Sequence, residues 1–391
     1  MRKSRQLFLL LLAALAAASC IYDYNPQIDG EGGYMIVEGN LVIGEISSIR
    51  TNWSWSLVDT TQGNERREVL GTNRMHVEAS DGTRYENTYT AQGGYFGSFD
   101  LREADPALEY RLVIENVRGT YTSGWAAPTS PGVIDSLSYR ISPDGETMGI
   151  LVASHGGQTG ESYYRWTVDE TWEYHAQVQA LYKYLPESGE VVPTTEEDES
   201  HYTCWSSGRR PEIMTGSSEG LLEDRLADHQ LYTLTKHDAR ISFLYCAEVR
   251  QMRLPEEAYR YWQVMERNAR DVGGLFSPEP SELRGNVVNL DNPEELVLGY
   301  VGVMTVASRR LFVDNSQARF YRSLGGALPP IDTLSSPDEW KLAYYGGKLP
   351  VVDVWSEEPF LRFLGYEWWP ARCVDCRVGG GSINKPAFWP R

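Results

Sequence analysis

Five cysteines and six histidines hold most of the reactive chemistry open to this chain, and one cysteine stands where a reaction is prescribed. Cys20 follows a short basic region (Arg2, Lys3, Arg5), an unbroken apolar run Leu7–Ala18, and Ser19. About 12 apolar residues are too few to span a bilayer core ~30 Å thick. They suit the hydrophobic region of a signal peptide, which is removed from the mature chain. A thiol at that cleavage point is an acylation site, and several fatty chains on one cysteine hold a protein on a membrane without spanning it. The usual lipobox has a bulky aliphatic residue three places before the cysteine, where this chain has Ala17. Plain cleavage after a small residue is the competing reading. Lipidation of Cys20 is expected.

The other four cysteines are Cys204, Cys246, Cys373 and Cys376. An even number in an exported chain predicts two disulfides, and four cysteines allow three connectivities. The locally sensible one pairs Cys204 with Cys246 and Cys373 with Cys376. A redox Cys-x-x-Cys pair needs a helix after it, which Arg377-Val378-Gly379-Gly380-Gly381 cannot start. A four-cysteine zinc site needs a second close pair, and Cys204 and Cys246 are too far apart to supply one.

Gly216-Ser217-Ser218-Glu219-Gly220 matches the G-x-S-x-G pattern of a hydrolase nucleophile. That elbow requires a buried strand before the serine and a helix after it. The preceding Arg209-Arg210-Pro211-Glu212 is polar and contains a proline, and Asp228, His229, His237 and Asp238 crowd too closely to form a triad. Ser218 therefore reads as a loop residue. The histidines (76, 155, 175, 201, 229, 237) show no metal-ligand spacing. Glu196-Glu197-Asp198-Glu199 lacks the ligand order and glycine of a calcium loop. No catalytic residue, metal or cofactor is expected.

The elements that must position these groups are mostly strands. Ile21 to Gly33 is polar and acidic, a tether between anchor and fold. From Tyr34, short alternating runs begin: Met35 and Val37, Leu41–Ile43, Trp53 with Trp55, then Met75, Val77 and Ala79. Asp81-Gly82 supplies the left-handed backbone of a tight hairpin before Arg84-Tyr85. Tyr110, Leu112 and Ile114 alternate again. Strands with turn signals every ten or so residues predict an Ig-like β-sandwich over residues 34–127. Pro128-Thr129-Ser130-Pro131-Gly132 reads as a linker. A second β-rich domain follows over 133–391, with strands expected at Met148–Ala153, Tyr163–Val168, Glu173–Tyr184, Leu231–Thr235, Ile241–Met252 and, after the stretch Val297–Val306, at Leu311–Val313. It carries one clear helix near 255–272. Pro255 suits the first turn, Glu256 and Glu257 complement the positive end, and Gly273-Gly274 stops it. Ala258, Tyr261 or Trp262, Met265, Ala269 and Val272 form the stripe packed on a sheet. The expected architecture is mainly β: signal peptide 1–19, tether 20–33, sandwich, then the second domain.

Removing residues 1–19, with three basic and no acidic groups, takes the formal net charge from −18 to −21. So acidic a chain lacks the basic footprint that nucleic acid or anionic lipid head groups require. Twelve tryptophans exceed ordinary usage. Trp205, Trp355, Trp368 and Trp369 are the expected ligand contacts, on exposed loops of the second domain. Adjacent Trp368 and Trp369 face opposite ways if they lie in a strand.

Several segments in order carry a resemblance: Met35-Ile36-Val37-Glu38-Gly39, Ile134-Asp135-Ser136-Leu137, Tyr163-Tyr164-Arg165-Trp166, Cys204-Trp205 and Glu257-Ala258-Tyr259-Arg260-Tyr261-Trp262. Leu275-Phe276, Arg284-Gly285-Asn286-Val287 and Leu298-Gly299-Tyr300-Val301-Gly302-Val303 continue it. The tail, Cys373-Val374-Asp375-Cys376-Arg377 through Lys385-Pro386-Ala387-Phe388-Trp389, is its most specific piece. Together they resemble the domain of unknown function 4249 family of bacterial outer-membrane lipoproteins. The resemblance implies a lipid-anchored protein of the outer membrane, on its surface or periplasmic face, that accompanies a TonB-dependent (SusC-like) transporter. It brings no catalytic or ligand-contacting residues with it.

The expected function is therefore non-enzymatic: ligand binding or an accessory role in TonB-dependent nutrient uptake. A cell-surface adhesin or assembly component is the alternative, and a secreted hydrolase with an unrecognised site the third.

Overall fold

The computed structural model describes residues 33–54, 73–88, 95–156, 161–270, 284–323, 329–357 and 361–390. The leader, Cys20, the tether to residue 32, Trp55, Val272 with its Gly273-Gly274 stop, and Leu275-Phe276 lie outside these residues. As expected, the chain is mainly β.

The N-terminal unit packs two sheets around one core. One sheet runs, in spatial order, Val297–Leu298, Met35–Gly39, Ile46–Trp53 and Phe96–Asp100. The other runs Val287–Asn289, Gly119–Ser123, Tyr110–Asn116, Arg74–Ala79 and Arg84–Glu86. Ile46–Trp53 alternates exposed and buried along its whole length, which is what the two-residue period of a strand with one wet face dictates. Ser47, Ile49, Thr51 and Trp53 point inward. Gly82 takes up the positive φ of +92° expected of the hairpin, and Asp81 fixes the turn by accepting a hydrogen bond from the Thr83 amide at 2.8 Å.

This unit differs from the expected 34–127 boundary. Residues 287–304 leave the second domain and complete the first. Met35 and Ile36 pair in parallel with Val297 and Leu298, and Val287–Asn289 pairs antiparallel with Tyr121–Ser123. Val287, Val297, Val301 and Val303 are buried in the N-terminal core. Strands of two or three residues carry no period of their own, so their hydrophobic pattern fits either sheet. Two glycines make the approach possible. A Cβ on Gly285 would lie 1.5 Å from the Gly299 oxygen, and one on Gly299 would lie 1.9 Å from the Val37 oxygen.

The second unit faces two sheets across another core. The larger has the order Thr203–Arg209, Tyr163–His175, Leu244–Leu254 and Ala307–Asp314, with Met214–Ser217 also paired to Tyr163–Trp166. The smaller is Arg225–Thr235, Thr147–His155 and Val133–Ile141. Their inner faces meet through Tyr164, Trp166, Val168, Ile150, Val152 and Leu234. The two strands expected at Tyr163–Val168 and Glu173–Tyr184 are instead one, Tyr163–His175, followed by a separate Tyr182–Leu185. The continuous strand puts Glu170 into the interior, 3% exposed. Arg210 and Arg240 neutralise it there, bonding its carboxylate at 2.9 and 2.5 Å. Tyr245 donates a further hydrogen bond to it at 2.5 Å.

The long helix, Glu256–Arg270, lies on the outer face of the larger sheet, packing Ala258, Tyr259 and Trp262 against Tyr163, Met252 and Leu254. The linker is pinned to both units: the Thr129 hydroxyl donates to the Arg253 oxygen at 2.5 Å, and Thr129 bridges to Met304. A C-terminal sheet of Asp332–Leu334, Phe363–Pro370 and Lys348–Trp355 completes the fold. Near it sit the hairpin Tyr182–Leu185 with Glu190–Pro193 and the helix Pro337–Tyr345, whose Ser336 and Glu339 form a capping box.

The expected disulfides are corrected. Cys204 pairs with Cys376, 172 positions away, while Cys246 and Cys373 are buried thiols. The bond ties the tail to the Thr203–Arg209 strand, and Trp205 and Ser382 exchange backbone hydrogen bonds beside it at 2.8 and 2.9 Å. Cys373 sits buried in the short helix Ala371–Val374 as a free thiol. Chain proximity favoured Cys373–Cys376, and tertiary packing decides otherwise.

Candidate functional site

Where the two units meet, a cleft of about 840 Å³ opens, within the size range of small-ligand sites. One wall comes from the N-terminal sandwich around Gly39 and Ile46–Ser48. The opposite wall is the outer face of the larger sheet, and the helix residues Tyr261, Trp262 and Met265 with Tyr300 close the third side.

Strand alternation places the charged groups. Along Tyr163–His175, Tyr164, Trp166 and Val168 go into the core, so Arg165 and Thr167 face the cleft. Arg250 comes from the neighbouring strand, across from Thr167 in the register. Arg209 and Arg210 follow from the end of Thr203–Arg209.

Three of these four arginines are matched by carboxylates. Arg209 makes a two-pronged contact with Asp169 at 2.7 and 2.9 Å. Arg210 spans Glu170 and Glu212. Arg250 reaches across the units to Glu45. Arg165 has no ion pair among the described residues. Its Nε is buried without a hydrogen-bond partner, and its guanidinium lies over the Trp262 ring, 3.7 Å from the centroid. Burial first, then the positive charge of Arg209, push its pKa down to about 10. Glu38, on the opposite wall, acts on Tyr261, whose pKa burial raises.

The residues singled out in the sequence lie elsewhere and do not converge. All four tryptophans are on strands, not on loops. Trp205 is half-buried in Thr203–Arg209 with its indole N–H buried and unbonded. Trp355 is 51% exposed at the end of Lys348–Trp355, its ring edge-on to Phe363 at 5.4 Å. In Phe363–Pro370 the side chains alternate: Trp368 is fully buried and meets Tyr184 at 5.8 Å, while half-buried Trp369 donates to Glu367 at 3.2 Å. None of the four lines the cleft.

Ser218 is a structural clasp. It is buried, donates to Asp224 Oδ1 at 2.6 Å and accepts from the Ser162 amide at 2.8 Å, while the Ser162 hydroxyl donates to Asp224 Oδ2 at 2.9 Å. His237 meets the Arg322 oxygen at 2.6 Å, and neighbouring Asp238 binds Arg240 instead. Among the described residues no three His, Cys, Asp or Glu side chains assemble as a metal site.

The cleft itself went unread because it forms between units. Its one local trace is Arg165, a lone cation in the aromatic strand Tyr163-Tyr164-Arg165-Trp166.

Fold and cleft together define a mainly β protein of two packed sandwich-like units with a ligand-sized opening at their junction. A family model described as a domain of unknown function (DUF4249) matches residues 21–310, most of the chain, and the protein belongs to that family. The Cys373–Trp389 tail lies beyond the matched span. No curated protein matches the chain. Among solved structures it is similar to the chicken interferon gamma receptor alpha chain, at 11% identity over 56% of this chain and 88% of that one. The TM-score of 0.14 is too low to carry any argument.

Proposed function

We propose that this protein is a lipid-anchored, non-enzymatic binding protein of the bacterial outer membrane, an accessory to TonB-dependent uptake, and that the junctional cleft is its ligand site. The observation that carries the reading is the cleft: about 840 Å³, with aromatic side chains on one side and Arg165, Arg209 and Arg250 among its lining residues. A pocket of that size with few, directed polar groups is the ordinary form of a small-molecule site. The anchor rests on Arg2, Lys3, Arg5, the Leu7–Ala18 run and Cys20. Transport partnership rests on the family resemblance.

Two measurements test it. Mass spectrometry of the N-terminal peptide from membrane-purified protein is expected to find acylated Cys20, and an unmodified form in the culture fluid would sink the anchor. Affinity purification from detergent-solubilised membranes is expected to recover a TonB-dependent transporter, and its consistent absence would overturn the accessory role.

A further inference from the structure

We propose that Arg165 is the anion-recognition residue of the cleft and that the ligand is a small organic carboxylate, its acid group on Arg165 and its body against Tyr261 and Tyr300. The inference deepens the reading of the cleft as a ligand site and rests on it.

The argument begins with a mismatch. A guanidinium offers five N–H donors and is stabilised away from water only when acceptors meet them. Arg209 and Arg250 meet carboxylates at this cleft, and Arg210, whose Nε is also buried and unbonded, still meets two through its other nitrogens. Arg165 breaks it in a chain with 18 more acidic than basic groups, where carboxylate partners are plentiful. Its Nε is enclosed and unbonded, the positive charge of Arg209 acts on it, and among the described residues it has no ion pair, only the Trp262 face at 3.7 Å. An indole face attracts a cation but fills none of its hydrogen-bond donors. The Trp262 stack instead holds the guanidinium in place at the cleft, with donors left for a ligand.

A planar fork held in this way matches a carboxylate in two-pronged geometry. Beside it, Tyr261 and Tyr300 stand 5.5 Å apart between ring centroids, tilted 39° to one another. Both are half-buried and line the cleft. They supply flat apolar surface for the part of the ligand that carries no charge. Glu38 on the far wall disfavours a second negative charge, which selects a monoanion.

Benzoate and benzamide are the probes, since they share shape and differ in charge. Calorimetric titration of the full mature chain in detergent is expected to show benzoate binding at least about tenfold tighter, about 1.4 kcal/mol. Arg165→Gln and Arg165→Met are expected to abolish that preference. Arg165→Met also separates recognition from folding. Because no ion pair is lost, its unfolding midpoint is expected to hold or rise, whereas a structural arginine would lower it. Equal affinity for the two probes, or binding of neither, overturns the proposal. So does Arg165→Met that unfolds several degrees earlier. All readouts use the isolated protein, so they stand whether or not a transporter co-purifies. A recovered transporter with no probe preference would overturn only the role of Arg165.

Discussion

At the scale of single residues, the decisive contrast is between charges that are buried and charges that are wet. Arg102 and Asp100 make a short pair at 2.6 Å, but with 60% and 42% of their side chains exposed solvent screening leaves it little weight. Glu170 is the opposite case, 3% exposed and held by Arg210, Arg240 and Tyr245. Removing one partner of such a cluster strands the rest, at a typical cost of about 3–5 kcal/mol. Glu170→Gln is therefore expected to lower the thermal midpoint by several degrees, and an unchanged midpoint would show that the cluster adds nothing. His229 makes a pH prediction. It stacks on Trp166 at 5.0 Å, and burial lowers its pKa, outweighing a backbone bond to Thr215 and the charge of Glu266 that raise it. A histidine with a depressed folded pKa is neutral in the native state and takes up a proton more readily when unfolded. Stability is thus lost as pH falls through about 6.5. Thermal melts should show that loss in the wild type and less of it in His229→Phe, and identical slopes would rule the histidine out.

At the scale of elements, the tail and its disulfide are the part most open to test. Joining Cys204 to Cys376 closes a long loop, which in the chain-entropy view stabilises by roughly 5 kcal/mol. Non-reducing peptide mapping is expected to recover the Cys204–Cys376 cross-link, with Cys246 and Cys373 alkylated only after unfolding. Burial pushes the Cys246 thiol up to about 12, so it should resist alkylation in the native protein. A Cys373–Cys376 peptide would overturn the pairing. Docking of the tail also depends on Gly381, where a Cβ would lie 2.0 Å from the Tyr174 hydroxyl and 2.7 Å from the Cys204 Cβ. Gly381→Ala should release the tail to protease without touching the cysteines. This element also marks the boundary of what the sequence makes legible. The Asp81-Gly82 hairpin, the Met75, Val77 and Ala79 alternation and the start of the long helix at Glu256 are local patterns, and all appear as read. The partner of Cys204, the return of Val287–Met304 to the first sandwich, and the burial of Glu170 depend on contacts far apart in sequence. The binding residues are the same kind of problem. A tryptophan count cannot distinguish Trp368, sealed in a sheet, from Trp262, which backs Arg165.

At the scale of the whole molecule, the two units are interlocked rather than strung together. Of the 20 buried residues in the N-terminal core, Val287, Val297, Val301 and Val303 arrive from the far side of the second sheet and helix. At about 1.5 kcal/mol or more for each fully buried valine, they contribute roughly 6 kcal/mol, as much as the entire net stability of many domains. Without them Met35–Gly39 also becomes an unpaired edge, which invites association. The return segment, the pinned Thr129 and the Arg250–Glu45 pair all cross the junction where the cleft lies. Such a junction favours a pre-formed pocket over one that closes around its ligand, consistent with an arginine held against Trp262 before anything binds. The interlock has a direct test. A fragment of residues 33–132, which holds the whole sandwich expected over 34–127 together with its linker, is expected to lack a cooperative thermal transition and to give a poorly dispersed amide NMR spectrum. Fusing residues 284–305 to it through a flexible linker should restore both. Cooperative unfolding of the short fragment by itself would mean that the first unit is self-sufficient and that the junction is free to hinge.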